Sequence, residues 1–450
     1  MKTKVTEFFK NDYAQSALYQ AYRTICGAVD GLKPSSRKII YTVRKNNITH
    51  DIKVSQLAAE VAKSTQYLHG DASLIGVVSN MAMNFTGSNN ANLLSPEANF
   101  GSRFVPEASA ARYVYTKKSA WFDLLFNQDD DDILIRQSFE GSDIECKFFV
   151  PVLPIVLLNG SEGIGNGFAQ KILPRHANDL IAAIREILKS PKKKSKIDIK
   201  PFFKGFNGRI EREEDKWSIY GTFERTTRGQ IRITEVPIGY NLAGYKKKLN
   251  ELVEKKVIKS AEDLSENDQF LFLIRVEKEF LEQTDEKILE ILKLKQSITE
   301  NFTCFDENNM PIEFETANEI LAHYSKIRLE YYGLRLANLI KKSKEQLQIA
   351  SNRLRFITAC IVDPTLLTGK NRKDVLAYLT KEKYNQTNGT YDFLVQMPLY
   401  SMTIDRVKEL EKDVARITQE ITDLENKLPK ELWLDELKII ESKLGELYES

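Results

Sequence analysis

The sequence predicts a multidomain α+β protein that ends in an antiparallel coiled coil, and three features carry that expectation. Residues 1–178 mix short helical and strand-like patterns, residues 179–320 form a second α+β stretch, and residues 321–450 hold two heptad seams around a compact insert at 361–402. In the first stretch Ser55–Ser64 reads as a capped helix with Leu57, Ala58 and Val61 on one face. A second helix opens at Asp71, with Leu74, Val77, Val78 and Met81 facing inward. Two short helices followed by strand-like segments fit a helix-turn-helix with wings, which docks on nucleic acid, and also fit a plain helical domain. In the second stretch Lys192, Lys193, Lys194 and Lys196 beside Pro191 mark an exposed loop after a helix ending near Ser190. Alternation at Trp217, Ile219, Gly221 and Phe223, then at Ile231 and Ile233, predicts strands joined through Thr227–Gly229. Helices are expected at 243–256 and 279–295, with the strand-like Phe270–Val276 between them. In the third stretch Leu336, Ile340, Ser343, Leu347, Ala350, Leu354 and Ile357 follow alternating 4,3 spacing. So do Val407, Leu410, Val414, Ile417, Ile421, Leu424 and Leu428, before Pro429 stops the helix. Such seams fold most simply as an antiparallel pair with a knob at the far end; two separate amphipathic helices on a core are the alternative.

Composition removes several classes of function. Lys and Arg number 65 against 63 Asp and Glu, so bulk charge selects no partner and a nucleic-acid surface must come from local clustering. The four cysteines stand far apart, which argues against a disulfide scaffold or zinc knuckle and fits a reducing compartment. No run of apolar residues is long enough to span a membrane, and the charged Met1–Lys10 is no secretory signal, so a soluble cytoplasmic protein is expected. A P-loop is absent, and the four histidines form no metal-binding pair.

Three segments remain as candidates for chemistry. Asp129–Asp132 offers carboxylates at a spacing used for Mg²⁺, but a like-charge run is more often a solvated loop, and no metal site is assigned. The glycine-dense Asn159–Gly167 follows the apolar run Phe148–Leu158, read as a strand, and suits a phosphate cradle or, better, a tight turn. In Ala108–Thr116, small residues permit close backbone approach and Arg112 directly precedes Tyr113. A phenol with a pKa near 10 is a weak nucleophile at neutral pH. A neighbouring guanidinium can stabilise both the phenolate and the charge that develops during attack on a phosphodiester. An Arg-Tyr pair taken alone is more often structural.

Five motifs in order then carry a resemblance: Asp30-Gly31-Leu32-Lys33-Pro34-Ser35-Ser36-Arg37-Lys38, Tyr67-Leu68-His69-Gly70, Asn99-Phe100-Gly101-Ser102, Ala111-Arg112-Tyr113 and Asn159–Gly167. The series resembles the breakage-reunion region of type IIA DNA topoisomerases: the gyrase A chain of bacteria and the matching half of eukaryotic topoisomerase II. Ala-Arg-Tyr-Val-Tyr-Thr and Asn-Gly-Ser-Glu-Gly-Ile-Gly look closer to the eukaryotic branch, while the short, free-standing A-type chain is similar to the medium subunits of T4-type phage topoisomerases. Gln396-Met397-Pro398-Leu399-Tyr400-Ser401-Met402-Thr403 falls where the family has its C-terminal gate.

The resemblance implies an N-terminal arm and winged-helix cleavage domain at 1–178, a tower at 179–320, and a coiled coil at 321–450 whose knob, 361–402, is a dimerisation gate. It implies that Tyr113 attacks DNA and holds the 5′ phosphate, with Arg112 as its catalytic partner and His69 contributing to the transition state. Arg23, Lys33, Arg37 and Lys38 match basic residues near the scissile DNA, and Ile164 matches an isoleucine that wedges between base pairs. Tyr67 and Ser36 stand where the bacterial enzymes have histidines, which puts the bacterial roles there in doubt; Tyr115 is the fallback phenol. The partners implied are double-stranded DNA, a second copy of this chain, and a large subunit supplying ATP and Mg²⁺ sites through its ATPase and TOPRIM domains. The function implied is DNA strand passage and relaxation, in a phage-infected host cytoplasm if the gene is a phage's. The rivals are a DNA-binding scaffold that has lost cleavage and a coiled-coil adaptor.

Overall fold

The computed structural model describes residues 5–190, 194–366, 369–398, 400 and 402–449. Of the segments singled out above, residues 1–4, Pro191, Lys192, Lys193, residues 367–368, Leu399 and Ser401 lie outside these. The chain divides into two compact units, Met1–Arg328 with Leu434–Ser450, and Leu329–Trp433.

After the short helical segments Val5–Phe8 and Phe9–Tyr13, the first unit continues with helix α1 (Ala14–Thr24) and helix α2 (Pro34–Lys45). Pro34 occupies the first helical position of α2, where its missing N–H costs nothing, and Ile39, Ile40 and Val43 are buried. Strand β1 (Ile52–Lys53) leads straight into helix α3 (Val54–Ser64), which packs on helix α4 (Asp71–Ala82). Leu57, Ala58 and Val61 are buried as their spacing predicts, as are Leu74, Val78 and Met81, while Val77 is half-buried. Strand β2 (Leu94–Glu97) and strand β3 (Tyr115–Lys118) complete an antiparallel sheet ordered β1-β3-β2 beside these helices, the helix-turn-helix with wings that was expected.

The apolar run Phe148–Leu158 is not a strand. Pro151 and Pro154 remove ladder donors from it, and it ends in the short buried helix Ile155–Leu158. The glycine-dense run is a hairpin of strand β4 (Ser161–Gly165) and strand β5 (Phe168–Ile172) turning at Asn166-Gly167, where Gly167 has φ +81°. Helix α5 (Ala177–Lys189) follows and ends where expected.

The expected tower segment holds two larger antiparallel sheets and a two-stranded ladder, Phe302–Phe305 with Pro311–Phe314. Strands β6 (Arg209–Glu213) and β7 (Lys216–Tyr220) belong to one; β8 (Thr222–Arg225) and β9 (Gln230–Glu235) belong to the other. The chain changes sheet at Gly221, where a Cβ would sit 2.3 Å from the Glu235 carbonyl oxygen. Helix α6 (Leu242–Glu254) covers a core of Ile231, Ile233, Tyr245, Phe272, Ile274 and Leu294. The single helix expected at 279–295 is instead two short ones, Lys278–Leu281 and Asp285–Ile291. Thr284 restarts the helix by accepting from the Lys287 amide, Lys293 takes φ +57°, and Lys295–Thr299 is a strand.

Helix α7 (Ala317–Val362) and helix α8 (Ile404–Asn426) form the expected seam in the second unit. Ala350 packs with Ile417 and Ile421, and Lys344 lies 2.6 Å from Glu425, so the helices run in opposite directions. In the insert Leu379, Tyr384, Tyr391 and Leu394 form a core with Phe356 of α7. Pro429 does more than stop a helix: it is the first residue of helix α9 (Pro429–Glu449). Residues from Leu434 onward belong to the first unit, against the expectation that 321–450 stands as one domain. There Tyr448 meets Trp121 and His176, Glu441 pairs with Arg185 at 2.7 Å, and Glu436 lies 3.8 Å from Arg328. Among the described residues no helix is long and apolar enough to cross a membrane.

Candidate functional site

The loop before β3 does two jobs. Its backbone caps α3, because the Val54 amide donates to the Val114 carbonyl at 3.1 Å and the Ser55 amide to the Ala111 carbonyl at 3.2 Å. These are helix N-terminal donors that no side chain satisfies, so the expected side-chain cap is replaced by a tertiary one. Between the two anchors stands Tyr113, its amide bonded to the Ala110 carbonyl at 2.9 Å and its side chain 68% exposed. A large phenol is thereby held outward on fixed backbone, with the Arg112 guanidinium 5.3 Å from the ring centroid. Tyr115, two residues on, is less exposed and lies in the central strand under the Lys53 ammonium.

His69 lies in the turn before α4. Its Nε2 is 3.1 Å from the Tyr19 hydroxyl on α1, and the Tyr67 ring meets it edge-on at 5.4 Å. Desolvation, followed by the charge of Arg23, pushes its pKa below the usual histidine value, which favours the neutral ring. Sequence reasoning missed Tyr19; its one available signal was its place four residues before Arg23, on the same helix face.

Ile164 stands at the end of the hairpin, 79% exposed. Its neighbouring glycines let α1 press against the strand: a Cβ at Gly163 would lie 2.1 Å from the Thr24 carbonyl oxygen, and one at Gly165 would lie 2.9 Å from Ala21 Cα. Asn166 donates to Gln20 at 2.7 Å, and Lys33 Nζ donates to the Glu162 carbonyl at 2.8 Å. The hairpin is thus braced along its base while its apolar tip projects.

The expected basic residues divide. Arg23 is half-exposed and has no carboxylate partner among the described residues. Lys33 is half-buried, and desolvation lowers its pKa. Arg37 is buried, with Nε 2.6 Å and Nη2 3.1 Å from the Asp30 carboxylate and Nη1 2.9 Å from the Tyr22 hydroxyl. Lys38 is held by the Thr65 carbonyl and by Glu145 at 2.8 Å. These two cations are engaged inside the domain, where their charge offsets the carboxylates of Asp30 and Glu145. In the Asp129–Asp132 run, Asp130 pairs with Arg328 and Asp131 with Arg44. Among the described residues no three His, Cys, Asp or Glu groups converge to hold a metal.

The chain thus presents an exposed tyrosine on a winged helix and, separately, an exposed apolar hairpin tip. The family profile for the A chain of DNA gyrase and topoisomerase IV matches residues 23–438. The chain belongs to this family. It is 32% identical to the mitochondrial DNA topoisomerase 2 of Dictyostelium discoideum over 94% of its own length and 34% of that protein's. It is 30% identical to DNA topoisomerase 2 of Plasmodium falciparum, over 97% of this chain and 34% of the relative. The chain therefore spans about a third of the length of these curated relatives. The crystal structure of the Plasmodium falciparum topoisomerase II DNA-binding, cleavage and re-ligation domain superimposes with a TM-score of 0.90 at 31% identity, covering 98% of this chain and 64% of that one. Family and multidomain α+β fold agree with the resemblance drawn from the five motifs.

Proposed function

We propose that this chain is the DNA breakage-reunion part of an ATP-dependent type II DNA topoisomerase, with Tyr113 as its nucleophile. The observation that carries the reading is the outward phenol of Tyr113, held on a loop whose carbonyls cap the helix of a winged-helix fold. In the reaction, Tyr113 Oη bonds to a DNA phosphorus and the bond to the deoxyribose 3′ oxygen breaks. One strand end is left as a 5′ phosphotyrosine and the other as a 3′ hydroxyl. The 3′ oxygen takes a proton as it leaves, and the phenol loses one. Because one phosphodiester replaces another, resealing is the same step reversed and needs no high-energy cofactor. Arg112 stabilises the phenolate and the developing phosphorane charge, His69 contributes a hydrogen-bond donor, and Ile164 bends the duplex by wedging between bases. That unstacking costs a few kcal/mol, offset by the larger surface a bent duplex offers.

Arg23 and Lys33 are the cations left for phosphates. Mg²⁺ and ATP are assigned to a large partner subunit or subunits; in the acidic run of this chain Asp130 and Asp131 are already paired with arginines. Cutting both strands needs two tyrosines, so the unit of function is a homodimer. Its interface is proposed at the knob end of the helix pair, where Val362, Tyr400 and Ile404 expose apolar surface. A phage-type, split-subunit organisation acting in the infected host's cytoplasm and serving DNA replication is part of the same proposal.

The test is a denaturant-trapped cleavage assay on supercoiled plasmid with Mg²⁺, this chain and its large subunit, beside Tyr113→Phe. Linear DNA with protein at its 5′ ends, lost in the variant, is the expected result. DNA bound without an adduct would leave a scaffold; an adduct persisting in Tyr113→Phe would move the nucleophile, with Tyr115 next in line.

A further inference from the structure

Helix α1 touches two parts of the site. Its C-terminal half is clamped on the Ile164 hairpin through Ala21, Thr24 and the Gln20–Asn166 bond. Directly before Gln20, Tyr19 reaches the His69 imidazole, with its hydroxyl 3.1 Å from Nε2. Tyr19 is 52% exposed, so burial does not account for its position. The groups around the imidazole are Tyr19 and Arg23 from α1 and Tyr67 from its own turn, and the Arg23 guanidinium lies 6.0 Å from the Tyr19 ring centroid. A cation and partial desolvation both favour the neutral imidazole, whose unprotonated nitrogen is an acceptor. The hydroxyl and Nε2 can each donate, depending on the imidazole tautomer; a phenol O–H is far more acidic than the N–H of a neutral imidazole, which favours the hydroxyl as the donor.

We propose that Tyr19 is a positioning residue for DNA cleavage: its hydroxyl donates to His69 Nε2 and holds the ring as the Nδ1–H tautomer, leaving Nδ1–H as the donor to a phosphate oxygen. The proposal rests on the cleavage reading given above. Because α1 also braces the Ile164 hairpin, the orientation of the imidazole is tied to the seating of the wedge. The role of Tyr19 is distinct from that of Arg112, which lies beside the nucleophile itself.

The first test uses the full chain labelled with ¹⁵N-histidine. The sequence has only four histidines, and His69→Gln identifies the His69 signals. Near neutral pH, wild-type His69 should show a protonated Nδ1 and a bare Nε2; Tyr19→Phe, which keeps the ring and its packing, should relax this to a tautomer mixture. The second test is adduct formation with the large subunit present. Tyr19→Phe should slow it about tenfold, the effect of one hydrogen bond, with DNA affinity unchanged, and Tyr19→Gln, which restores an N–H donor, should recover part of the rate. A protonated Nε2 in the wild type, an unchanged tautomer in Tyr19→Phe, or a wild-type cleavage rate in that variant would each overturn the proposal. Failure of the wild type to form adducts would instead sink the cleavage reading, and the tautomer measurement would still judge the Tyr19–His69 pair.

Discussion

Replacing Arg37 by methionine separates a structural cation from a DNA-binding one. Asp30 is fully buried, at 0% exposure, and its carboxylate accepts four hydrogen bonds: from Arg37 Nε at 2.6 Å and Nη2 at 3.1 Å, and from the amides of Leu32 at 3.0 Å and Phe149 at 3.2 Å. Methionine keeps most of the apolar stem but removes the guanidinium bond to Tyr22 and both bonds to Asp30, the latter each worth about 1.5–3 kcal/mol because both partners are charged. The remaining carboxylate keeps two amide donors, so the expected loss is about 3–5 kcal/mol, the usual cost of breaking a buried pair from one side. Asp30→Asn combined with Arg37→Met should recover roughly half of that, since an amide oxygen still serves the two backbone donors and no charge is left unpaired. Urea unfolding followed by tryptophan fluorescence reads the effect, with the buried Trp121 as a reporter in the same unit. An unchanged midpoint in Arg37→Met, together with a shallower salt dependence of DNA binding, would refute the argument and return Arg37 to the phosphates.

The remaining predictions are narrower. Arg23→Met should weaken DNA binding evenly across sequences and lower the slope of log affinity against log salt by about one, with no loss of stability because Arg23 has no carboxylate partner among the described residues. Ile164→Ala should leave the unfolding midpoint unchanged, since the side chain is exposed, while reducing DNA bending in a fluorescence-transfer assay and cleavage with it. His176 is the N-cap of α5: its Nδ1 accepts from the Asn178 amide at 3.1 Å, and its ring lies against Phe202 and Tyr448. Desolvation depresses its pKa, so the folded state binds the proton less well than the unfolded chain. Its contribution is fully present above the ordinary histidine value of about 6.5 and is lost as pH falls through the lower folded value. Hydrogen exchange should therefore show Ala177–Lys189 loosening below about pH 6.5 in the wild type, with His176→Asn, a cap that does not titrate, removing the dependence.

The sequence by itself determined what local chemistry can write. The 4,3 spacing gave one apolar face on each of α7 and α8 and so a seam between them as the simplest arrangement; the antiparallel pairing shows in the contacts of Ala350 and Lys344. The apolar positions of α3 and α4 fixed their buried faces, and five ordered motifs were enough to identify the family. The sequence misled where a residue pattern allows two backbones. Phe148–Leu158 has the apolarity of a strand, but its two prolines forbid the ladder, and Thr284 can cap a new helix as well as continue an old one. Pro429 can end one helix and begin the next, and periodicity alone does not distinguish these. Tertiary structure decided which charges are free. Arg37 and Lys38 lie in a motif that reads as a phosphate clamp, yet Asp30 and Glu145 reach them only after folding. It also decided that α3 is capped by the loop carrying Tyr113 and that Tyr19 meets His69 across 50 residues of chain. No periodicity records such contacts, because they depend on where separate elements meet in space.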